Sequence, residues 1–375
     1  MKKTLSLIMI FMFLLSNVAF AEEVDITATS AILMDASSGA VLYEKNPDVK
    51  MPPASITKIM TMLLVMEEID KGNISTDDIV TVSKNSAIKT GSHVFLAENE
   101  QISVNDLLKA VAVASANDGA IALAEHVSGT QDAFVEKMNQ RAKELKMDNT
   151  HFVNSNGLDA ENHYSSARDI AIMTNELLKH KKIFDYTTIW MDTLRNGTFD
   201  LANTNKLIRY YEGANGMKTG STSDAGYCIS ATAERNNFQL IAVVMNSETT
   251  KKRFADATTL LNYGFNKYSS IRLNGSDEIY KYLSVEKGRV KTAPVVVKNN
   301  CYVTVRSDLK GEIKSQVTLP EFIQAPIKKG DYLGKITYTL DGKTIAENEL
   351  VSGEDVDKIS ILFAFDRIFK EFIKF

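Results

Sequence analysis

Cysteine, proline and tryptophan are scarce: 2 Cys, 6 Pro and 1 Trp in 375 residues. Two cysteines are too few for a disulfide-stapled miniature fold, and a bridge between Cys228 and Cys301 is not favoured. Neither sits in a CxxC or CxxH spacing, and no HExxH helix occurs among His93, His126, His151, His163 and His180. A structural or surface role is therefore expected for each histidine, and neither metal nor cofactor is expected. A basic excess is also missing. With 43 Lys+Arg against 47 Asp+Glu the formal charge is -4, which argues against a nucleic-acid surface. Low Gly and Pro with 44% hydrophobic residues exclude collagen and disorder.

Long apolar runs are short as well. Lys2 and Lys3 precede an apolar stretch from Leu5 to Leu15, and Ala19-Phe20-Ala21 reads as a small-x-small cleavage signal. The run falls below the ~20 residues a membrane span needs. Residues 1–21 are thus expected to be a secretory signal peptide rather than a retained anchor, placing the function outside the cytoplasm. Removing Lys2 and Lys3 leaves 41 basic against 47 acidic residues, a balance of -6.

The remainder is large enough for two folded units. Ala31-Ile32-Leu33-Met34-Asp35 and Ala40-Val41-Leu42-Tyr43 flank a Gly-containing turn and read as a hairpin. Pro52-Pro53-Ala54 stops the extended chain before a helix from Ser55 to Met66. Further helices are expected over Val104–His126, Thr130–Leu145 and Ser166–Leu178, then strands over Ala225–Ala233 and Phe238–Asn246, and a helix from Lys252 to Phe265. That order implies one α+β domain, residues 22–270, in which both ends of the unit share an antiparallel sheet. Short β runs punctuated by Lys-Gly, Asn-Asn and Asp-Gly fill residues 271–356, a small sandwich-like all-β domain. In residues 357–375, Ile361, Phe365, Ile368, Phe372 and Phe375 recur at helical spacing. This tail is expected to form an amphipathic helix that lies on a membrane surface or docks on protein.

Three motifs carry chemistry. Ser55-Ile56-Thr57-Lys58 places a hydroxyl and an amine one helical turn apart, the geometry a nucleophile and its base require. Ser86, Ser284 and Ser307 open other SxxK strings, but only Ser55 follows a Pro-Pro-Ala stop and opens an apolar helix. Ser115-Ala116-Asn117 is a polar break in the apolar stretch Val111–Ala124, costly unless it faces a polar cleft; its other reading is a helix cap. Lys218-Thr219-Gly220-Ser221 begins a strand, where glycine permits close approach of a substrate. The same string at Lys89-Thr90-Gly91-Ser92 lies in a loop and is set aside as a decoy.

With these motifs in this order, the chain resembles the penicillin-binding and serine β-lactamase superfamily, specifically its low-molecular-weight D-alanyl-D-alanine carboxypeptidases. Also similar are Ser115-Ala116-Asn117-Asp118-Gly119-Ala120, Phe152-Val153-Asn154 to Gly157-Leu158, His163-Tyr164-Ser165-Ser166-Ala167-Arg168-Asp169 and Gly216-Met217-Lys218-Thr219-Gly220. The resemblance implies a β-lactamase/transpeptidase-like catalytic domain and a serine acyl-transfer mechanism on a peptidoglycan stem peptide ending in D-Ala-D-Ala. Ser55 is implied as nucleophile, Lys58 as its base and Ser115 as proton relay. Asn117 is implied to bind the substrate amide, Lys218 and Thr219 to hold the terminal carboxylate beside Gly220, and the N–H groups of Ser55 and Ser221 to form the oxyanion hole. Arg253 is a further carboxylate contact or else a solvated surface arginine. β-Lactam antibiotics are implied as covalent inhibitors. A β-lactamase using Glu161 for deacylation, a crosslink endopeptidase, and a non-catalytic wall-binding or sensor protein are the competing readings.

Overall fold

The computed structural model describes residues 24–308, 311–360 and 363. The expected leader, residues 1–21, lies outside them, as does most of the tail expected to be helical. Where that tail begins, Lys358 bridges Gly288 and the Ile359 N–H donates to the Lys287 carbonyl at 2.7 Å. The start of the tail is thus still tied to the β domain and not yet helical.

The hairpin of β1 (Ser30–Asp35) and β2 (Val41–Lys45) is followed by a 3-10 turn, Ala54–Thr57, and α1 (Lys58–Asp70). Next come α2 (Val104–Val113), α3 (Asn117–Ser128), α4 (Gln131–Glu144) and α5 (Ala167–Leu177). The chain then forms β3 (Ala214–Thr222), β4 (Gly226–Arg235), β5 (Phe238–Ser247) and α6 (Thr250–Lys267). The antiparallel sheet has the order β2-β1-β5-β4-β3. β1 therefore lies beside β5, with Ala31 opposite Val244 and Leu33 opposite Ala242, as expected of a sheet built from both ends of the unit.

Alternation along β1 builds two apolar layers. Ile32 and Met34 face a core with α1 to α5, whereas Ala31 and Leu33 face Leu260 and Leu261 of α6. Gly264 lets α6 lie close: a Cβ there would come 2.5 Å from Leu240 Cδ1. Asp256 of the same helix ties down the entering chain, accepting from the N–H groups of Thr27 and Ala28 at 3.1 and 2.9 Å.

α6 runs directly into a two-stranded sheet, Tyr268–Asn274 with Cys301–Arg306. A six-stranded sheet completes the β domain around Leu283, Val295, Ile336 and Leu350. Thr304 Oγ1 contacts Asp35 Oδ2 at 2.5 Å, joining this domain to the β1–β2 turn. Cys228 and Cys301 are free and buried, one in each domain.

Candidate active site

Pro52 and Pro53 stop the chain and Ala54 turns it with a positive φ of 48°. The helix expected from Ser55 begins as the 3-10 turn Ala54–Thr57 and becomes α-helical only at Lys58. Three residues per turn eclipse positions i and i+3. Lys58 Nζ consequently stands 2.9 Å from Ser55 Oγ.

Lys58 is fully buried. Its Nζ also contacts Asn117 Oδ1 at 2.7 Å and the Asn156 carbonyl at 2.6 Å. Burial, reinforced by the charge of Lys218 and opposed by Asp118, holds its pKa well below the ordinary lysine value. A neutral amine has two N–H donors and one lone pair. In that form the two carbonyl oxygens would satisfy the donors, and the lone pair would face the Ser55 hydroxyl.

The stretch Val104–His126 is not one helix. α2 ends at Val113, Ser115 takes a positive φ of 62°, and the Ala116 N–H reaches back to the Ala110 carbonyl at 3.1 Å. That bond spans six residues, and the positive φ at Ser115 closes the helix in a conformation that ordinarily uses glycine. With serine there, a hydroxyl stands at the break at a backbone cost of about 1–2 kcal/mol. Asn117 then opens α3 with both ends of its amide engaged: Oδ1 with Lys58 and Nδ2 donating to the Thr90 carbonyl at 2.6 Å. Its backbone N–H donates to the Ser92 carbonyl at 2.7 Å.

The string set aside as a decoy therefore abuts the site through its backbone. A Cβ on Gly91 would come 2.7 Å from Asn117 Nδ2. Asp118, buried at 1% exposure, holds this loop by accepting from the N–H groups of Val94 and Leu96, each at 3.1 Å to Oδ2. Neither Asp118 nor the Asn156 carbonyl was named among the candidate residues.

β3 supplies the opposite wall. Gly220 lies against the 3-10 turn, where a Cβ would sit 2.9 Å from Ser55 N and 3.0 Å from Ile56 N. Ser221, next on the strand, is exposed. Lys218 is buried, its Nζ donating to the Thr219 carbonyl at 2.9 Å, while Thr219 Oγ1 donates to Thr204 Oγ1 at 2.7 Å. Arg253 is no solvated surface residue: it is 6% exposed, and its Nη1 is 3.3 Å from each of the carbonyls of Gly220 and Cys228. Its guanidinium lies over Phe254, and its Nε is buried without a partner among the described residues. Burial, then the charge of Arg253, brings the Lys218 pKa to about 7; burial brings that of Arg253 to about 10. Two cations behind one strand edge make a corner suited to an anion. Glu161, the carboxylate weighed for deacylation, is exposed beside Pro52 and His163.

A serine paired with a desolvated lysine, set between a helical cluster and a sheet edge backed by buried cations, defines a serine acyl-transfer enzyme. Residues 17–249 match the family model described as D-alanyl-D-alanine carboxypeptidase, and residues 268–358 match that of the penicillin-binding protein 5 C-terminal domain. The chain belongs to the D-alanyl-D-alanine carboxypeptidase family of serine peptidases. It is 39% identical over 388 residues to D-alanyl-D-alanine carboxypeptidase DacF of Bacillus subtilis (strain 168), covering all of both chains. The crystal structure of penicillin binding protein 5 from Haemophilus influenzae is similar with a TM-score of 0.79 and 35% identity, over 89% of this chain and 98% of that one. Penicillin-binding protein D2 from Listeria monocytogenes in its ampicillin-bound form matches 65% of this chain and 99% of its own, with a TM-score of 0.60 and 33% identity.

Proposed function

We propose that this chain removes the terminal D-alanine from peptidoglycan stem peptides ending in D-Ala-D-Ala, by way of an acyl-enzyme on Ser55. The observation that carries the reading is the placement of Lys58, buried, low in pKa and 2.9 Å from the Ser55 hydroxyl with both its N–H donors engaged elsewhere. Ser55 Oγ attacks the carbonyl between the two D-alanines as Lys58 takes its proton. The N–H groups of Ser55 and Ser221 hold the oxyanion. Ser115 passes a proton to the nitrogen of the departing D-alanine, the C–N bond breaks, and water then hydrolyses the ester.

Asn117 orients Lys58 and meets the substrate amide. Lys218, Thr219 and Arg253 hold the terminal carboxylate, and Gly220 keeps the strand edge open to it. A β-lactam enters the same path, its ring amide opening onto Ser55. The protein acts outside the cytoplasm. Residues 1–21 direct its export, and residues 357–375 hold it at the outer face of the cytoplasmic membrane through Ile361, Phe365, Ile368, Phe372 and Phe375.

The test is D-alanine release from a pentapeptide ending in D-Ala-D-Ala, with fluorescent penicillin as covalent probe. Both signals are expected from the wild type and neither from Ser55→Ala; labelling of that variant would reject the assignment. Deleting residues 357–375 should move the protein out of the membrane pellet, and retention there would reject the anchor.

A further inference from the structure

His163 is 5% exposed and lies beside the nucleophile turn, yet none of the steps above uses it. Its Nδ1 accepts the Val153 N–H at 2.9 Å. A backbone N–H can only donate, so this ring nitrogen is unprotonated and the neutral imidazole carries its proton on Nε2. Burial, with a smaller contribution from His151, lowers its pKa to about 4, so the neutral ring is the form present near neutrality.

Nε2 stands 2.9 Å from Thr57 Oγ1 and donates to it. The Thr57 hydroxyl then directs its own proton elsewhere, and it lies 2.9 Å from the Ala54 carbonyl. The direction of every bond in this chain, from Val153 to Ala54, is thereby determined.

The Ala54 carbonyl and the Ser55 N–H belong to one planar peptide unit and point in opposite directions. Holding the carbonyl therefore aims the N–H. The unit needs holding, because Ala54 occupies the left-handed region at a cost of about 1–2 kcal/mol. It is pressed from another side by Gly157, at φ 85°, where a Cβ would come 1.9 Å from the Ala54 oxygen and 2.9 Å from Ser55 N. The relay ends on Ala54 and does not reach Ser55 Oγ, so it carries no proton for the reaction.

We propose that His163 is a positioning residue for acyl transfer: acting through Thr57, it fixes the Ala54–Ser55 peptide plane and so aims the Ser55 N–H at the oxyanion of the tetrahedral intermediate. The inference rests on the acyl-enzyme reading above. It predicts a defect confined to the transition state, because the ground-state carbonyl depends far less on this donor than the oxyanion does.

The full-length protein is assayed for kcat and KM in D-alanine release, for the rate of penicillin acylation and for thermal unfolding. His163→Leu should lower kcat and the acylation rate by about 10- to 100-fold, below the full loss of an oxyanion donor, with KM within about threefold. His163→Gln keeps one acceptor for Val153 and one donor for Thr57, and should stay within about fivefold of wild type. Thr57→Val should match His163→Leu, and the double variant should fall no further in kcat. A folded His163→Leu within twofold of wild-type kcat, a folded His163→Gln as slow as the leucine variant, or a raised KM at unchanged kcat each overturns the relay. If His163→Leu does not fold, Thr57→Val carries the same expectation by itself. A wild type that penicillin fails to label at Ser55 overturns the acyl-enzyme reading and the relay together, whereas the variant results strike the relay alone.

Discussion

Replacing Lys218 by methionine should make the protein more stable and less active, in proportions that depend on pH. Lys218 is 1% exposed, and its pKa of about 7 lies below the ordinary lysine value of 10.5. That gap corresponds to about 5 kcal/mol that the fold gives up to keep this ammonium charged inside. Because the folded-state value is the lower one, the penalty is complete below about pH 7 and disappears as pH rises to the unfolded value. Methionine fills a similar volume without charge and forfeits the bond from Nζ to the Thr219 carbonyl, worth about 1 kcal/mol. Allowing half of the remainder for relaxation and water entry, Lys218→Met should stabilise the catalytic domain by about 2 kcal/mol at pH 6. That raises its Tm by about 4–8 °C. The gain should vanish near pH 10.5. Activity moves the other way: release of D-alanine from a peptide with a free terminal carboxylate should fall by about 10- to 100-fold with loss of a charge-assisted contact. A matched C-terminal amide should barely distinguish the two proteins. Scanning calorimetry at pH 6 and pH 10 with a D-alanine assay decides the matter. A variant that melts lower at pH 6, or whose gain is independent of pH, refutes a buried-charge cost at this position.

Gly220→Ala drives a Cβ against the backbone nitrogens of Ser55 and Ile56 at 2.9 and 3.0 Å. It should slow penicillin acylation by about 100-fold or more, since small displacements of a reacting group are costly, and a stopped-flow labelling rate within fivefold of wild type would contradict the fit. Asp118→Ala leaves the N–H groups of Val94 and Leu96 without their carboxylate. A loss of about 2–4 kcal/mol in urea unfolding is expected, together with faster hydrogen exchange in the Thr90–Leu96 loop; unchanged exchange there would show that the loop is held by other means.

The parts of this architecture legible in the sequence were those written in side-chain periodicity. Strand β1 alternates Ile32 and Met34 with Ala31 and Leu33, which marks it as a strand covered on both faces; the run at Val243 supplies its neighbour β5, and the run at Ile229 the strand beyond that. Ser55 with Lys58 and the Lys218 strand were legible because each joins reactive groups to an element boundary. What escaped was written in backbone. The Asn156 carbonyl that meets Lys58, and the Thr90 and Ser92 carbonyls that meet Asn117, have no signature of residue type. The Val104–His126 stretch read as one helix because nothing in serine announces a positive φ; only the bond from Ala116 to Ala110 reveals the stop. Arg253 was left undecided between cleft and solvent, since burial of a guanidinium under Phe254 depends on how α6 packs across the sheet.

The position of β1 between β2 and β5 also constrains how the molecule can be made. Its second neighbour begins 203 residues later, at Phe238, and the Asp256 carboxylate that fastens the residues before it is later still. Pairings so distant in the chain must close a long loop before they contribute, so the catalytic unit is expected to fold slowly for its size. A chain emerging in order from its amino end therefore presents the Ser55 turn early, but without the β3 edge and the Lys218 corner that complete it. Until β3 to β5 and α6 follow, β1 is an apolar strand with one bare edge, and the interval of emergence is when the protein is most open to mispairing.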